Sequence, residues 1–196
     1  MLEKFWSTEA FGTKPKVMPP TSVEERLSRE LLCATTTKRN NRYEVGLLWK
    51  EPNCRLPNNR AQALARLAGL QRRLSSDASL KEAYDAAIND LLTRGIAKRL
   101  EGTEIHHPWG RMWYLPHHPV QRANRPGKVR IVFDASAKYN GISLNDMLSK
   151  GPPLLNDLCG ILLRFRRYEV AISADVDRVF HQVLVPVKDQ SVLGFI

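Results

Sequence analysis

Two segments of the chain end on an aspartate and carry the residue types that phosphate chemistry requires. In the downstream segment, residues 170–175, apolar and small residues lead to Asp175, and Phe180 follows five positions later. The upstream segment, residues 128–134, has strand-like composition, carries two cations and also ends on a carboxylate. A carboxylate at a strand end suits Mg²⁺, and cations can hold the phosphates that such a metal carries. Together the segments indicate a site for nucleotidyl transfer, which uses two divalent metals.

Each residue of this candidate site has a distinct expected role. Asp175 would bind the metal through its carboxylate, and Val176 would add its backbone carbonyl oxygen. Lys128 and Arg130 are two positions apart, so on a strand they point the same way and could clamp a triphosphate, Arg130 in bidentate fashion. Phe180 would face the sugar, where a bulky ring excludes a 2′-hydroxyl by contact.

Charge favours a polyanionic partner. The 196 residues carry a net charge of +10, and a large share of it lies between Arg94 and Arg130. Trp109, Trp113 and Tyr114 are interleaved with these cations, a pattern typical of proteins that bind nucleic acid and stack on its bases. Composition leaves a simple solvated basic face equally open.

Other features limit the class of protein. At this length the chain can bury one core, or one domain plus an arm. No apolar run approaches the length that spans a bilayer, and the first residues lack the basic start and apolar block of a signal peptide. Cys33, Cys54 and Cys159 are an odd number without CxxC spacing, which indicates free thiols in a reducing compartment. We therefore expect an intracellular protein with no membrane partner.

Helices are predicted where capping residues precede apolar residues at helical spacing. The capping boxes that begin at Ser22 and Ser79 each start a helix, the second ending near Gly95, and Ser143 opens a short one. Asn58 and Asn59 can cap another. Its apolar row is Ala63, Leu67, Leu70 and Leu74. Residues 154–167 should form an amphipathic helix.

Strands are predicted from β-rich composition at 42–49, 129–133, 169–175 and 192–196, with 181–186 also extended. The helix at 154–167 should pack on the sheet that contains 169–175. Its contacts would be Leu158, Ile161, Leu162 and Phe165. The pattern indicates a helical arm followed by a mixed α+β fold.

A series of short motifs occurs in one order along the chain. They are Arg42-Tyr43-Glu44-Val45, Trp113-Tyr114-Leu115-Pro116-His117-His118, Arg130-Ile131-Val132-Phe133-Asp134-Ala135-Ser136-Ala137, Ser143-Leu144-Asn145-Asp146, Gly151-Pro152, Phe165-Arg166, and Ala174-Asp175-Val176 with Phe180-His181-Gln182. The series resembles the reverse transcriptase of BEL/Pao-type LTR retrotransposons, from about Arg42 onward. The capped helix before it resembles the linker that follows the protease in such Pol polyproteins.

The resemblance implies a right-hand polymerase fold: residues 1–41 as an arm, 42–168 as the fingers and 169–196 as the start of the palm. It implies that Asp175 is the first metal-binding aspartate, Phe180 the ribose-gate aromatic and Arg130 the finger arginine, with Lys128 nearby. It further implies two Mg²⁺ ions, deoxynucleoside triphosphates, an RNA or DNA template-primer and the rest of the Pol polyprotein as partners. The implied location is a cytoplasmic virus-like particle.

The family's other two catalytic aspartates lie in a Tyr-x-Asp-Asp-type hairpin, and these 196 residues contain no such motif. We therefore expect an RNA-directed DNA polymerase fragment that is inactive alone. A basic nucleic-acid-binding module without catalysis, or an inert retroelement remnant, is the alternative.

Two other readings are weaker. Asp175 and Asp177 also fit the nucleophile motif of haloacid-dehalogenase-type phosphatases, but that fold needs far more than the residues that follow here. Two pairs of histidines invite a zinc site: His106 with His107 and His117 with His118. However, neighbouring residues on a strand point to opposite faces, and no cysteine lies close in sequence. We expect Asp134 to be structural and to pair with a cation.

Overall fold

The computed structural model describes residues 22–101, 111–122, 125–151 and 154–196. Helices and strands are mixed, and the strands form two separate two-stranded antiparallel sheets. The elements in chain order are α1 (Val23–Thr35), β1 (Thr37–Arg39), β2 (Arg42–Glu44), α2 (Arg60–Ser76), α3 (Ala78–Thr93), β3 (His117–Arg122), β4 (Arg125–Phe133), α4 (Leu144–Met147), α5 (Leu158–Phe165), α6 (Val179–Gln182), α7 (Val187–Gln190) and a 3₁₀ turn (Ser191–Leu193). Most of the arm, Trp109 and the Pro152-Pro153 breaker lie outside the described residues.

Local capping sets the start of α1 and α4. The backbone N–H of Glu25 donates to the Ser22 hydroxyl at 3.1 Å, and the Glu25 carboxylate accepts from the Ser22 N–H at 2.9 Å. Ser143 and Asp146 form the same reciprocal pair at α4. Both predicted helix starts are confirmed, because a capping box needs only residues three apart in the chain.

The start of α3 differs from the prediction. Asp77 is the N-cap, and its carboxylate accepts from the Leu80 N–H at 2.9 Å, so Ser79 lies inside the helix. A carboxylate at this position satisfies a free N–H and also interacts favourably with the helix dipole. At the other end, Gly95 has a φ of 64° and ends the helix as predicted, since glycine enters the left-handed region without strain.

One core lies between α2, α3 and β4. Leu70 and Leu74 from α2 pack with Leu80 and Tyr84 from α3 and with Val129 from β4. The apolar row predicted for α2 is therefore confirmed as its buried face. This core gives the β3–β4 hairpin a rigid helical support.

A second core joins the middle of the chain to its last described residues. Trp113, Leu115, Leu144 and Val192 are all buried there. The backbone N–H of Leu115 donates to the Gly194 carbonyl at 2.7 Å. Residues 192–196 thus contain the end of a 3₁₀ turn and one isolated β-bridge, which joins Gly194 to Tyr114. The strand predicted for these residues is absent.

The strand predicted at 42–49 is shorter than expected. β2 ends at Glu44, and the Leu47 N–H instead donates to the Asp189 carboxylate at 3.1 Å. β1 and β2 are joined through Asn40 and Asn41, whose φ values of 49° and 62° are those of a tight hairpin turn.

The strand predicted at 169–175, the proposed first palm strand, is wrong for this structure. Residues 170–176 have no regular secondary structure and are exposed. A strand requires a hydrogen-bonded neighbour, and no described segment pairs with this one. Apolar composition was a correct sign of strand propensity but could not supply the partner.

The segments on either side of it also differ from the prediction. Helix α5 is limited to Leu158–Phe165, and the four side chains expected to contact a sheet are exposed: Leu158, Ile161, Leu162 and Phe165. The segment 181–186 was expected to be extended, but its first two residues belong to the helical turn α6. Beyond that turn, Leu184 forms a β-bridge with Glu44. No helix among the described residues is long and apolar enough to cross a membrane.

Candidate functional site

The β3–β4 hairpin separates an inner apolar face from an outer face that carries cations. Val129 is buried against the helices and Ile131 is half-buried there, whereas Lys128, Arg130 and Val132 are exposed. This alternation follows from the two-residue repeat of a strand. Lys128 and Arg130 are therefore both exposed, on either side of the buried Val129, in agreement with the prediction that they point the same way.

On that outer face, the exposed residues of β3 that lie opposite β4 are Val120 and His118. Arg130 lies opposite Val120, and Val132 lies opposite His118. Val120 is 39% exposed and His118 is also exposed. The hairpin thus offers positive charge with no carboxylate at these cross-strand positions, an arrangement suited to an anionic ligand.

Asp175 lies in an exposed segment. It makes no hydrogen bond or ion pair with the described residues, and the Val176 side chain is 60% exposed. Phe180, at the start of α6, is 88% exposed. These residues are accessible to a ligand, although the expected strand does not hold them.

The turn between Asp175 and Phe180 is anchored through Arg178. Its φ of 51° is left-handed, and its guanidinium pairs with the Asp90 carboxylate at the end of α3. The other oxygen of Asp90 accepts from Arg94 at 2.7 Å. The guanidinium of Arg178, followed by that of Arg94, lowers the pKa of Asp90. A left-handed backbone conformation is unfavourable for a residue other than glycine. The ion pair with Asp90 offsets part of this cost for Arg178.

A second anchor lies on the other side of α6. The Arg42 guanidinium donates to the backbone carbonyls of His181 and Gln182, the latter at 3.0 Å. The Val45 N–H donates to the Leu184 carbonyl at 2.9 Å. Glu44 and Leu184 thereby form a parallel β-bridge.

Helix α3 contacts both parts of the candidate site, the cationic β3–β4 hairpin and the turn that carries Asp175 and Phe180. Its residue Tyr84 packs against the hairpin at Val129, and its residue Asp90 holds Arg178. Six residues of helix separate these contacts by about 9 Å along the axis. The tertiary structure therefore joins the cationic hairpin and the Asp175 turn to one support.

The donor set does not fit a complete Mg²⁺ site. Among the described residues there is no group of three or more histidine, cysteine or acidic side chains placed to bind a metal. Asp177, the nearest carboxylate in sequence, is 85% exposed and lies 3.9 Å from the Arg178 Nε. Asp175 would be a single ligand, and Mg²⁺ held by one carboxylate keeps water at its other positions.

Asp134 has the structural role expected from the sequence. Its Oδ1 accepts from the Ser136 hydroxyl at 2.6 Å and from the Ser136 N–H at 3.0 Å, and Oδ2 lies 3.9 Å from Arg66. These hydrogen bonds, with the charge of Arg66 as a smaller cause, lower the pKa of Asp134. The Asp134 carboxylate therefore stabilises the turn after β4 through its hydrogen bonds to Ser136.

His117 links the two cores, which sequence reasoning missed. One ring nitrogen lies 2.6 Å from the Tyr84 hydroxyl and the other 2.9 Å from the Ile196 carbonyl oxygen. Phe195 meets the ring edge-on. Burial lowers the pKa of His117 and raises that of Tyr84 to about 12. Because these contacts join residues far apart in the chain, no local pattern could reveal them.

Comparison with known proteins gives this chain no relative: no family model, no curated protein and no solved structure matches it.

Proposed function

We propose that this chain is the fingers and proximal palm region of an RNA-directed DNA polymerase of the BEL/Pao retrotransposon type. The observation that supports the proposal best is the exposed hairpin face with Lys128 and Arg130, supported by the same helix that anchors the Asp175–Phe180 turn. Its partners are a template-primer and a deoxynucleoside triphosphate.

The hairpin is the part of the proposal with the clearest physical basis. Lys128 and Arg130 are solvent-facing and adjacent on one side of a supported strand. A triphosphate carries several oxygens that an ammonium and a guanidinium can contact together. We assign triphosphate binding to these two side chains, and contact with the sugar to Phe180.

Copying of a template requires more carboxylates than this chain provides. Asp175 is the single proposed metal ligand, together with the Val176 carbonyl, and no Tyr-x-Asp-Asp motif occurs in these 196 residues. Mg²⁺ remains part of the proposal as an ion whose other carboxylate ligands are not among these residues. The isolated chain should bind nucleic acid without synthesising DNA.

The first experiment measures triphosphate binding. Photo-crosslinking of a deoxynucleoside triphosphate in the presence of a primer-template would be compared for the native chain and for K128Q/R130Q. The matched control is R29Q/K38Q, which removes one arginine and one lysine from exposed positions on α1 and β1. We expect crosslinking to fall at least about tenfold in the first variant, in keeping with the loss of charge-assisted contacts, and to persist in the control.

The second candidate function is a basic nucleic-acid-binding module without a nucleotide site. It is favoured by the exposure of Asp175 and by the finding that the described residues contain no group of three or more histidine, cysteine or acidic side chains placed to bind a metal. Primer extension on a poly(rA) template, combined with triphosphate crosslinking, distinguishes the polymerase fragment from the nucleic-acid-binding module. Nucleic-acid binding without triphosphate crosslinking supports the module, whereas template-dependent synthesis would contradict the expectation that these residues are inactive alone.

A further inference from the structure

Helix α2 carries a second cationic surface that the proposed nucleotide site does not use. Its sequence, RAQALARLAGLQRRLSS, contains four arginines and no carboxylate. One side is buried through Ala63, Leu70 and Leu74, so the arginines are left on the remaining surface. A helix with this composition has a uniformly positive exposed side.

Two of the arginines lie in one row beside the buried side. Residues 62, 66, 69 and 73 are separated by four, three and four positions, which places them along one line of the helix surface. Arg66 and Arg73 are exposed, and seven residues separate them by about 10.5 Å along the axis. With one phosphate per about 3.4 Å of axis on each strand, that distance covers about three phosphates of a polynucleotide.

Gly69 lies between these arginines, one turn from each. Glycine in a helix interior is unfavourable compared with alanine, and its usual structural reason is absent here. A Cβ at this position would meet no heavy atom within 4 Å, and Gly69 has no positive φ. The fold therefore does not require glycine, but a bulky ligand backbone between the two arginines could approach closely because the side chain is missing.

The surroundings of the row are consistent with an anionic ligand. At one end, the Gln62 amide donates to the Lys138 backbone carbonyl at 2.6 Å, which ties the loop after β4 to the helix. Within the described residues, Arg66 pairs with Asp134 at 3.9 Å, and Asp134 is also engaged by Ser136. Arg66 is still 62% exposed, so this loose pair leaves it able to contact a ligand.

We infer that Arg66 and Arg73 on α2, with Gly69 between them, bind the sugar-phosphate backbone of a nucleic acid. Helix α2 contains no aromatic residue, so no aromatic ring stacks on the bases, and we expect contacts to phosphate that are independent of sequence. This inference concerns a surface apart from Lys128 and Arg130 and holds whichever reaction the chain serves.

The main test compares two double variants of the same helix. R66Q/R73Q removes both positive charges of the row, whereas the control R60Q/R72Q removes two positive charges that lie on α2 but outside the row. Affinity for a labelled duplex and a labelled single strand would be measured by fluorescence anisotropy across a salt series. We expect R66Q/R73Q to lose at least about tenfold in affinity and to reduce the salt slope by about 1.5, while the control loses less than about threefold. Equal losses in the two variants would overturn the inference.

Gly69 supplies an independent test, because stability and binding should move in opposite directions. Gly69→Gln should raise Tm by about 2–4 °C, since glutamine is a better helix former and the position is open. The same variant should weaken nucleic-acid binding at least about threefold by occupying the space between the arginines. A raised Tm with unchanged binding would mean that no backbone approaches Gly69 and would overturn the role given to it.

Two further measurements separate this inference from the proposed function. Triphosphate crosslinking, measured at a primer-template concentration that saturates both chains, should be unchanged in R66Q/R73Q, so failure at one surface is distinguishable from failure at the other. Polyglutamate serves as a competitor without sugar or phosphate. If it displaces nucleic acid from the native chain as well as an unlabelled polynucleotide does at equal charge, the row is a general polyanion surface and the inference fails.

Discussion

The Arg178 guanidinium pairs with the carboxylate of Asp90, a residue 88 positions earlier in the chain. The pair fixes the turn that carries Asp175 and Phe180 to the end of α3, and α3 also supports the cationic hairpin. One ion pair thus makes the geometry of the candidate site depend on a helix that contributes no proposed ligand.

Loss of this ion pair should loosen the turn selectively. In Arg178→Gln and Asp90→Asn, we expect faster amide hydrogen exchange at residues 177–182, because the left-handed Arg178 loses its charged partner. Asp85→Asn is the control, since Asp85 lies on the same helix and pairs with Lys81 instead. Exchange rates that match the native chain in both test variants would show that the pair does not hold the turn.

The same pair predicts an effect of acid. Since the folded state lowers the pKa of Asp90, its contribution to stability is present above the ordinary aspartate pKa of about 3.9 and is lost as pH falls through the lower folded value. Denaturation midpoints measured across the acid range should therefore fall less steeply in Asp90→Asn than in the native chain. Parallel curves would contradict this.

His117 predicts a second pH effect, in a milder range. Its pKa is lowered by burial, so the neutral ring is favoured in the folded state, and stability should fall as pH drops below about 6.5, the ordinary histidine pKa. His117→Asn should be less stable at neutral pH yet lose less on acidification. Chemical denaturation at a series of pH values checks this, with His118→Asn as the exposed control on the same strand.

Asn59 should be far more important for stability than its neighbour. Its buried amide donates to the Tyr114 carbonyl at 2.7 Å and accepts from the Tyr114 N–H at 2.8 Å. Asn59→Ala leaves both backbone groups without this partner and should cost about 2–4 kcal/mol. Asn58→Ala removes only an exposed bond to the Arg60 N–H and should cost about 0.5–1 kcal/mol. Urea denaturation distinguishes these values, and equal costs would contradict the buried clamp.

The exposed side chains of α5 should contribute little to the stability of this chain. Leu158 is 66% exposed and Leu162 is 48% exposed, so L158Q/L162Q should change the free energy of unfolding by less than about 1 kcal/mol. Leu80→Ala, at a side chain only 2% exposed in the first core, should cost about 2–5 kcal/mol. A large loss in the α5 variant would mean that this face is packed in solution.

The sequence alone determined the features that depend on residues close in the chain. The capping boxes at Ser22 and Ser143 and the stop at Gly95 were predicted because each depends on contacts within one or two helical turns. The apolar row of α2 was predicted because the helical repeat alone places its residues on one side. The shared direction of Lys128 and Arg130 was also predicted, since alternation along a strand requires only the strand itself.

Tertiary structure decided the features that depend on a distant partner. Asn59 could have capped α2, but it binds the backbone of Tyr114 instead, and Arg178 is held by Asp90 on another helix. Residues 169–175 have the composition of a strand, but none of the segments that the structure describes pairs with them. Propensity is local, whereas a buried hydrogen bond, an ion pair or a sheet exists only when the fold brings two separate segments together.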